Sequence, residues 1–579
     1  MCGIYLYFDL VESINNLENH KKLSARGPDE AKVIQGNYSI KSDMNDRQVE
    51  YLLAFYRLAI VGVQHGMQPF FKDQVYLLCN GEIYNHLTLT DTACKSDCEV
   101  ILDLYLSKGI EHVLSVIDGE FAFVILDLRV GLVHFARDPI GVKPLYYAAK
   151  YNGDQLTALE LSSELKAMKH ATYGNHVIPR LIYTFDLNNG SLSYLKYDLP
   201  YLRHVSNNES VYNALETAVV KRITQSERPL GFFLSGGLDS SIVLSIAMKY
   251  YNNEYNKQIS KMDDSKHDNK QDGNEQDDTH NKCKRPKRTI PEVFTFGFSK
   301  DAPDVLSAMA MVNWLERKYG KDCIKWHLVI GDMTDGCKRL SDVIYALETY
   351  DTTTIRASTP MYMLSQYISC NTDVKVLLSG EGSDELFGGY LYFNYAPNDF
   401  SFKSEINKLL NELYLYDVLR ADRSTATFGL ELRPPFLDTK LINEVISHPK
   451  LRKVAGLTKS LLREVISDHQ IKQNYELLPE SILYGKKEAF SDAVGLQWKD
   501  EIAKYTSKMV NNIEEIKWSS HIEPLTDEMK YYQSVFYKHY GANYDVLLHL
   551  WLPNQAWVKT GIEPSARVLN CYSEPIKRT

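Results

Sequence analysis

The sequence predicts two domains of different class. Residues 2–200 read as an α+β domain of two layered antiparallel sheets with helices, and residues 209–579 as an α/β domain with a mainly parallel sheet. Three observations carry this. Short apolar runs rich in β-branched and aromatic residues, separated by turn signals, fill the first 200 residues. Farther on, buried-strand runs alternate with helical stretches, as a parallel sheet requires. Between the two, residues 188–209 loosen into Asn-Asn-Gly, Asp-Leu-Pro and Ser-Asn-Asn-Glu, which places the linker there.

Taken in order, residues 1–8, 49–60, 75–78, 121–127 and 131–136 are the strand candidates of the first domain, and residues 97–108 have helical periodicity. After the linker, a helical stretch from Ser210 leads to the apolar run 229–234, a glycine turn and an amphipathic stretch at 240–251. Strand, glycine turn, helix opens an α/β unit. Residues 293–298 and 375–379 read as further buried strands. Residues 252–288 are nearly devoid of apolar side chains, acidic first and then basic. They are expected to form a disordered insertion, because too little surface can be buried to offset the ordering entropy.

At about 100–200 residues per domain, 579 residues are too many for one small domain. The apolar fraction of 44% and charged fraction of 24% are ordinary globular values. A net charge of −9 argues against a nucleic-acid partner. Nine scattered cysteines, with only Cys94 and Cys98 close together, fit neither a disulfide framework nor a zinc site. No apolar run approaches a membrane span, and the first residues lack the pattern of a signal or transit peptide, so the cytosol is the expected location.

Cys2 carries the first chemical signal. With Met1 removed it would present a thiol beside its own α-amine, whose ordinary pKa of about 7.7–8.0 suits a base near neutrality. Arg26-Gly27-Pro28-Asp29 is a rigid turn bearing a cation. Arg57, before Leu58-Ala59-Ile60-Val61, ends a strand with a guanidinium able to grip a carboxylate. Asn80-Gly81-Glu82-Ile83-Tyr84-Asn85 offers a side-chain amide next to a permissive backbone N–H, the two donors of an oxyanion hole. Asp97, after Ser96, supplies a carboxylate for a substrate ammonium.

The second signal is Leu234-Ser235-Gly236-Gly237-Leu238-Asp239-Ser240-Ser241 between a strand and a helix. Its glycines let backbone approach phosphate, and the helix N-terminus favours an anion. Asp239 beside polyphosphate calls for Mg²⁺. The Gly-Lys-Ser/Thr of a Walker loop is absent. A second turn, Leu378-Ser379-Gly380-Glu381-Gly382-Ser383-Asp384, adds Asp384 as another metal ligand and Glu381 to position reacting groups.

The N-terminal motifs resemble the class II glutamine amidotransferases, an N-terminal nucleophile family. The resemblance implies that Cys2 attacks the glutamine amide and that Asn80 and Gly81 stabilise the oxyanion. It also implies that Arg57, the 58–61 backbone, Glu82 and Asp97 hold glutamine. The two later loops resemble the ATP-pyrophosphatase synthetases. Fused behind a glutaminase, they resemble the asparagine synthetase family over most of the chain, as do residues 347–361, 431–438 and 487–492.

That resemblance implies ATP, aspartate and glutamine as substrates, Mg²⁺, an apolar path for ammonia and, as in the family at large, a homodimer. Leu234, Ser235, Gly236, Gly237, Ser240, Phe296, Ser379 and Gly380 would contact the nucleotide. Asp239 and Asp384 would carry Mg²⁺–pyrophosphate, Glu381 would serve adenylation, Glu348 would be a base for ammonia, and Lys459 would stabilise phosphate charge. The chain departs from the family pattern at Asn394-Tyr395, where a His-Lys pair is expected, and at Phe296, where a smaller aliphatic is expected. A β-lactam-forming relative, an amidotransferase for another carboxylate and a non-catalytic relative are the competing readings.

Overall fold

The computed structural model describes residues 1–10, 14, 17–40, 47–90, 96–153, 155–169, 174–197, 205–268, 288–485, 494–495, 497–511, 521–541, 546–561, 563–565 and 569. In the strand Gly3–Asp9, apolar residues occupy both faces. Ile4, Leu6 and Phe8 point into one core, and Tyr5 and Tyr7 into another. A strand buried on both sides belongs in the middle of a sheet, and this one pairs antiparallel with Arg47–Arg57 and Gln155–Ser162. The six-stranded sheet so formed packs on a second six-stranded antiparallel sheet through Leu78, Val124, Leu126 and Phe135. The alternate residues of that second sheet, Leu77, Phe123 and Ile125, face the helix Glu99–Lys108. Helix on sheet on sheet is the layered α+β domain expected.

The linker region differs from expectation. Ser191–Lys196 is a strand, paired antiparallel with Leu181–Asp186 at the edge of the second sheet. The Asn-Asn-Gly between them is a hairpin turn, with Gly190 at φ 72°. The next helix, Asn208–Thr224, begins at a capping box in which Asn207 and Ser210 each accept the other's backbone N–H.

In the second domain, five parallel strands lie in the order Lys325–Ile330, Glu292–Gly297, Leu230–Phe233, Val376–Leu378 and Glu431–Arg433. The chain leaves Leu230–Phe233 toward one edge and returns to build Val376–Leu378 on its other side. Such a reversal opens a crevice at the carboxyl ends of the strands, where open α/β sheets bind ligands. The helix after the glycine turn runs from Leu238 to Asp268, far beyond residue 251. This corrects the insertion reading for residues 252–268: a helix already nucleated by apolar turns propagates cheaply through polar residues. Of the rest of the insertion, residues 269–287 lie outside the described residues, as does the motif at 487–492.

Buried charge joins the domains. Arg26, on the 3₁₀ turn after Asn19–Ala25, and Arg423, on the helix Asp417–Ala426, are both 0% exposed. Arg26 meets Asp422 at 2.7 and 3.0 Å and Glu164 at 2.9 Å. Arg423 meets Glu164 at 2.8 Å and Glu348 at 3.0 Å. Removing one partner from such a cluster strands the others as uncompensated charge. Arg423→Met is therefore expected to lower unfolding stability by about 3–5 kcal/mol, read as a drop in the denaturation midpoint. An unchanged midpoint would show that Glu164 and Glu348 are neutralised without it.

Candidate active sites

The first site forms where the strand Gly3–Asp9 begins beside the strand Val75–Ile83. The Cys2 backbone N–H donates to Asn80 Oδ1 at 2.8 Å, and Cys2 Sγ lies 3.7 Å from the Leu58 carbonyl. The other end of the Asn80 amide, Nδ2, is buried with no acceptor. A buried donor left unmatched is costly unless something is meant to fill it, and an oxyanion beside Cys2 is what it suits. Gly81 stands at φ 153°, and a Cβ there would lie 2.1 Å from the Glu120 carbonyl, so only glycine fits.

The glutamine-holding candidates surround this point. Arg57 is buried and donates to Glu30 at 2.8 Å, to the Gly62 carbonyl at 2.6 Å and to the Val63 carbonyl at 3.0 Å. It thereby shapes the loop that carries Leu58–Val61. Within that loop Ala59 N–H donates to Asp29 Oδ2 at 2.8 Å, and the Ile60 carbonyl accepts from Glu227 N–H. Asp97 accepts from Ile83 N–H at 2.6 Å. Burial, then the nearby Asp97, pushes the Glu82 carboxyl well above the ordinary carboxylate range. Arg433 of the second domain comes within 3.2 Å of Glu82.

Met1 is present, and its α-amine, 1% exposed, pairs with Glu431 at 3.2 Å. The amine of an unprocessed chain is thus on Met1, held away by the second domain. Burial pushes the Cys2 thiol up to about 11. A raised thiol pKa keeps the neutral form through neutrality and yields the nucleophilic thiolate only as pH climbs toward that value. Iodoacetamide labelling of Cys2 in a chain retaining Met1, followed by peptide mass mapping, is expected to speed up about tenfold per pH unit between 7 and 10. A rate that levels off below pH 9 would contradict the burial.

The second site lies at the carboxyl ends of the central parallel strands. One cavity of about 210 Å³ is lined by Leu234, Ser235, Asp239, Ser240 and Phe296 from one side, and by Ser379, Gly380, Glu381 and Asp384 from the other. A neighbouring cavity of about 140 Å³ shares Ser235 and Asp239 and adds Gly236, Gly237, Lys459 and Arg463. Gly236, at φ 74°, packs so tightly on the helix Pro303–Tyr319 that a Cβ would meet Ser307 backbone at 2.1 Å. Across the two turns, Gly380 packs on Asp239, where its Cβ would meet the Asp239 Cβ at 2.7 Å.

Lys459 Nζ stands 2.5 Å from Asp239 and 2.8 Å from Asp384, so the two carboxylates converge on one point. Among the described residues no cluster of three or more metal-ligating side chains occurs. Two carboxylates beside a phosphate cradle fit Mg²⁺, which takes one or two protein carboxylates and completes its shell with phosphate oxygens and water. Glu381 pairs with Arg420 at 2.8 Å, and Arg420 also holds Asp417 at 2.7 Å.

Glu348 is placed elsewhere. It lines neither cavity. Its carboxylate accepts from Leu165 N–H at 2.9 Å, Lys166 N–H at 2.8 Å and Arg423 at 3.0 Å, so in this arrangement it is a filled acceptor at the domain seam rather than a free base. Sequence reasoning noted Arg356, in the cavity wall, and Glu431, at the seam, only as members of the stretches 347–361 and 431–438, and passed over Arg420 and Asp422. The one usable signal was charge inside otherwise apolar segments, as in Glu431-Leu432-Arg433, a strand buried at every position.

Comparison with known proteins agrees with both halves. The glutamine amidotransferase domain family matches residues 1–185, and the asparagine synthase family matches residues 210–407 and 401–558. Glutamine-hydrolysing asparagine synthetases of Homo sapiens and Pongo abelii are each 34% identical, over 100% of this chain and 100% of their own length. A protein of Acanthamoeba polyphaga mimivirus described as a probable enzyme of the same kind is 34% identical over 98% of this chain and 100% of its own. A solved glutamine phosphoribosylpyrophosphate amidotransferase from B. subtilis, at 16% identity and a TM-score of 0.27, overlaps 40% of this chain and 60% of that one. With whole-length relatives and both family matches in hand, the chain belongs to the glutamine-hydrolysing asparagine synthetases.

Proposed function

We propose that this chain takes ammonia from glutamine at Cys2 and joins it to the side-chain carboxylate of aspartate at the expense of ATP. The convergence of Asp239, Asp384 and Lys459 between two glycine turns, in one chain with Cys2 and the unmatched Asn80 Nδ2, is the observation that carries this reading.

In the first domain, once Met1 is removed, the Cys2 α-amine takes the thiol proton, the sulfur attacks the glutamine side-chain carbonyl, and Asn80 Nδ2 and the Gly81 N–H receive the oxyanion. The α-ammonium gives that proton to the departing nitrogen, so ammonia leaves as the thioester forms, and water then releases glutamate. Arg57 keeps the 58–61 loop in shape around the substrate, with Glu82 and Asp97 lining its polar end. In the second domain the aspartate side-chain carboxylate attacks the α-phosphorus of ATP, expelling pyrophosphate and giving β-aspartyl-AMP. Ammonia attacks the activated carbonyl, and AMP departs with the bond it breaks. Asp239 and Asp384 would hold Mg²⁺, which, when bound, offsets charge on the pyrophosphate. Ser235, Gly236, Gly237 and Ser240 cradle phosphate, Lys459 offsets the developing charge, and Phe296 walls the base. Glu381, held by Arg420, positions the reacting groups for adenylation. The base role suggested for Glu348 requires its bonds to Leu165, Lys166 and Arg423 to open.

Six described cysteines are free, which suits a reducing setting such as the cytosol. Among the described residues no helix is long and apolar enough to cross a membrane. A homodimer is supported by the family resemblance alone.

Purified protein given Mg-ATP, aspartate and amide-¹⁵N glutamine is expected to yield labelled asparagine, AMP and pyrophosphate. Glutamate without asparagine would point to a different carboxylate substrate. Cys2→Ala should abolish glutamine-dependent synthesis and spare synthesis from ammonia, whereas loss of both would refute the division into two sites. Asp239→Asn should cut synthesis from either nitrogen source by about a hundredfold or more. Near-normal rates would remove Asp239 from the phosphate site.

A further inference from the structure

Lys459 reaches both acidic turns from an unusual place. It is a non-glycine residue in the left-handed region, at φ 54°, and it caps the helix Ser460–Gln473. The preceding residues, 452–458, have no helix or strand of their own, and Gly456 among them is also left-handed, at φ 73°. A lysine at the end of such a loop is placed only as well as the loop is.

Two hydrogen bonds tie the loop to the chain that leaves the second acidic turn, and a third, from Arg463 Nε to the Thr458 carbonyl at 2.9 Å, ties it to the helix it precedes. Gly456 N–H donates to Asn394 Oδ1 at 3.2 Å, and Lys453 Nζ donates to the Ala396 carbonyl at 2.6 Å. Asn394 lies in the 3₁₀ turn Leu391–Tyr395, five residues after Gly389. Gly389 is itself the floor under the lysine, since a Cβ there would meet Lys459 Cε and Asp384 Oδ1, each at 2.1 Å. The segment bearing Asp384 thus grips the lysine loop at three points. Asparagine is suited to the central one, being short and carrying a carbonyl that accepts a backbone N–H. Position 394 is also where the chain departs from the family pattern.

We propose that Asn394 is a positioning residue that, through Gly456, sets Lys459 between Asp239 and Asp384. The proposal rests on the reading of Lys459 as the group that offsets phosphate charge. One hydrogen bond is a small part of this protein's stability. An ångström of displacement at a charge-stabilising group, by contrast, costs up to about a hundredfold in rate.

The test compares full-length parent and variant proteins in ammonia-dependent asparagine synthesis and in glutamine hydrolysis. Asn394→Ala is expected to lower kcat for synthesis by about tenfold or more with glutamine hydrolysis unchanged. Asn394→Asp, which keeps the acceptor, should restore most of the rate. In a Lys459→Ala background, Asn394→Ala should cost nothing further, with aspartate-dependent pyrophosphate release as the readout. A purely structural role would add to the Lys459→Ala loss, so additivity, or a normal kcat in Asn394→Ala, would overturn the proposal. If Asn394→Ala loses glutamine hydrolysis too, Asn394→Leu, nearly isosteric and without the carbonyl acceptor, is used in its place and judged by the same outcomes. A parent protein that makes no asparagine at all would instead count against the proposed function.

Discussion

The mutual neutralisation of Arg26, Arg423 and Lys166 by Glu164, Asp422 and Glu348 is the interaction on which both sites depend. Moving this many charges out of water is costly, and the attraction between them roughly offsets that cost only if every partner is in place. The cluster therefore does little for stability as a sum and more for geometry, because each charge is satisfied only with partners from the other domain in place. Arg26 Nε reaches the Cys2 carbonyl at 3.1 Å, so the nucleophile is placed by a guanidinium that the other domain holds. The helix Asp417–Ala426 carries Arg420 to Glu381 in the nucleotide cavity and, one turn later, Asp422 and Arg423 to the seam. One short helix thus fixes positions in both sites.

Glycine does the complementary work at the sheet. Gly236 and Gly380 stand where backbone crosses backbone, and their missing Cβ atoms let the two turns approach each other and the helix Pro303–Tyr319. Asp239 and Asp384 start from different strands and meet at one ammonium only because of that closeness. Chemistry at this end of the sheet is a consequence of strand order: the crevice exists because neighbouring strands are left in opposite directions.

Much of this was legible from the residues alone. The apolar runs in residues 3–9 and 121–127 announce strands in a layered core, and the apolar run before Ser235-Gly236-Gly237 announces strand, turn and helix. The expected nucleotide contacts do line adjoining cavities, because they are local: each sits within a few residues of a strand end. What was not legible depends on long-range placement. Glu348 stands in a family-like stretch, yet its neighbours Leu165, Lys166 and Arg423 come from distant parts of the chain, and no local pattern reveals that they fill it. The strand Ser191–Lys196 was hidden because its few apolar residues, Leu192, Tyr194 and Leu195, stand in a polar stretch beside turn signals. The helix past residue 251 was hidden because composition reports what a segment can bury, whereas helix propagation needs only a start.

While Met1 remains, its α-amine is taken up by Glu431 and its thioether lies beside Arg26. Glu431 is in turn shared with Lys143 and Arg433. The first residue of the chain is therefore one more cation in the seam between the domains, and the charge balance around Glu431 includes a group that is not a side chain at all.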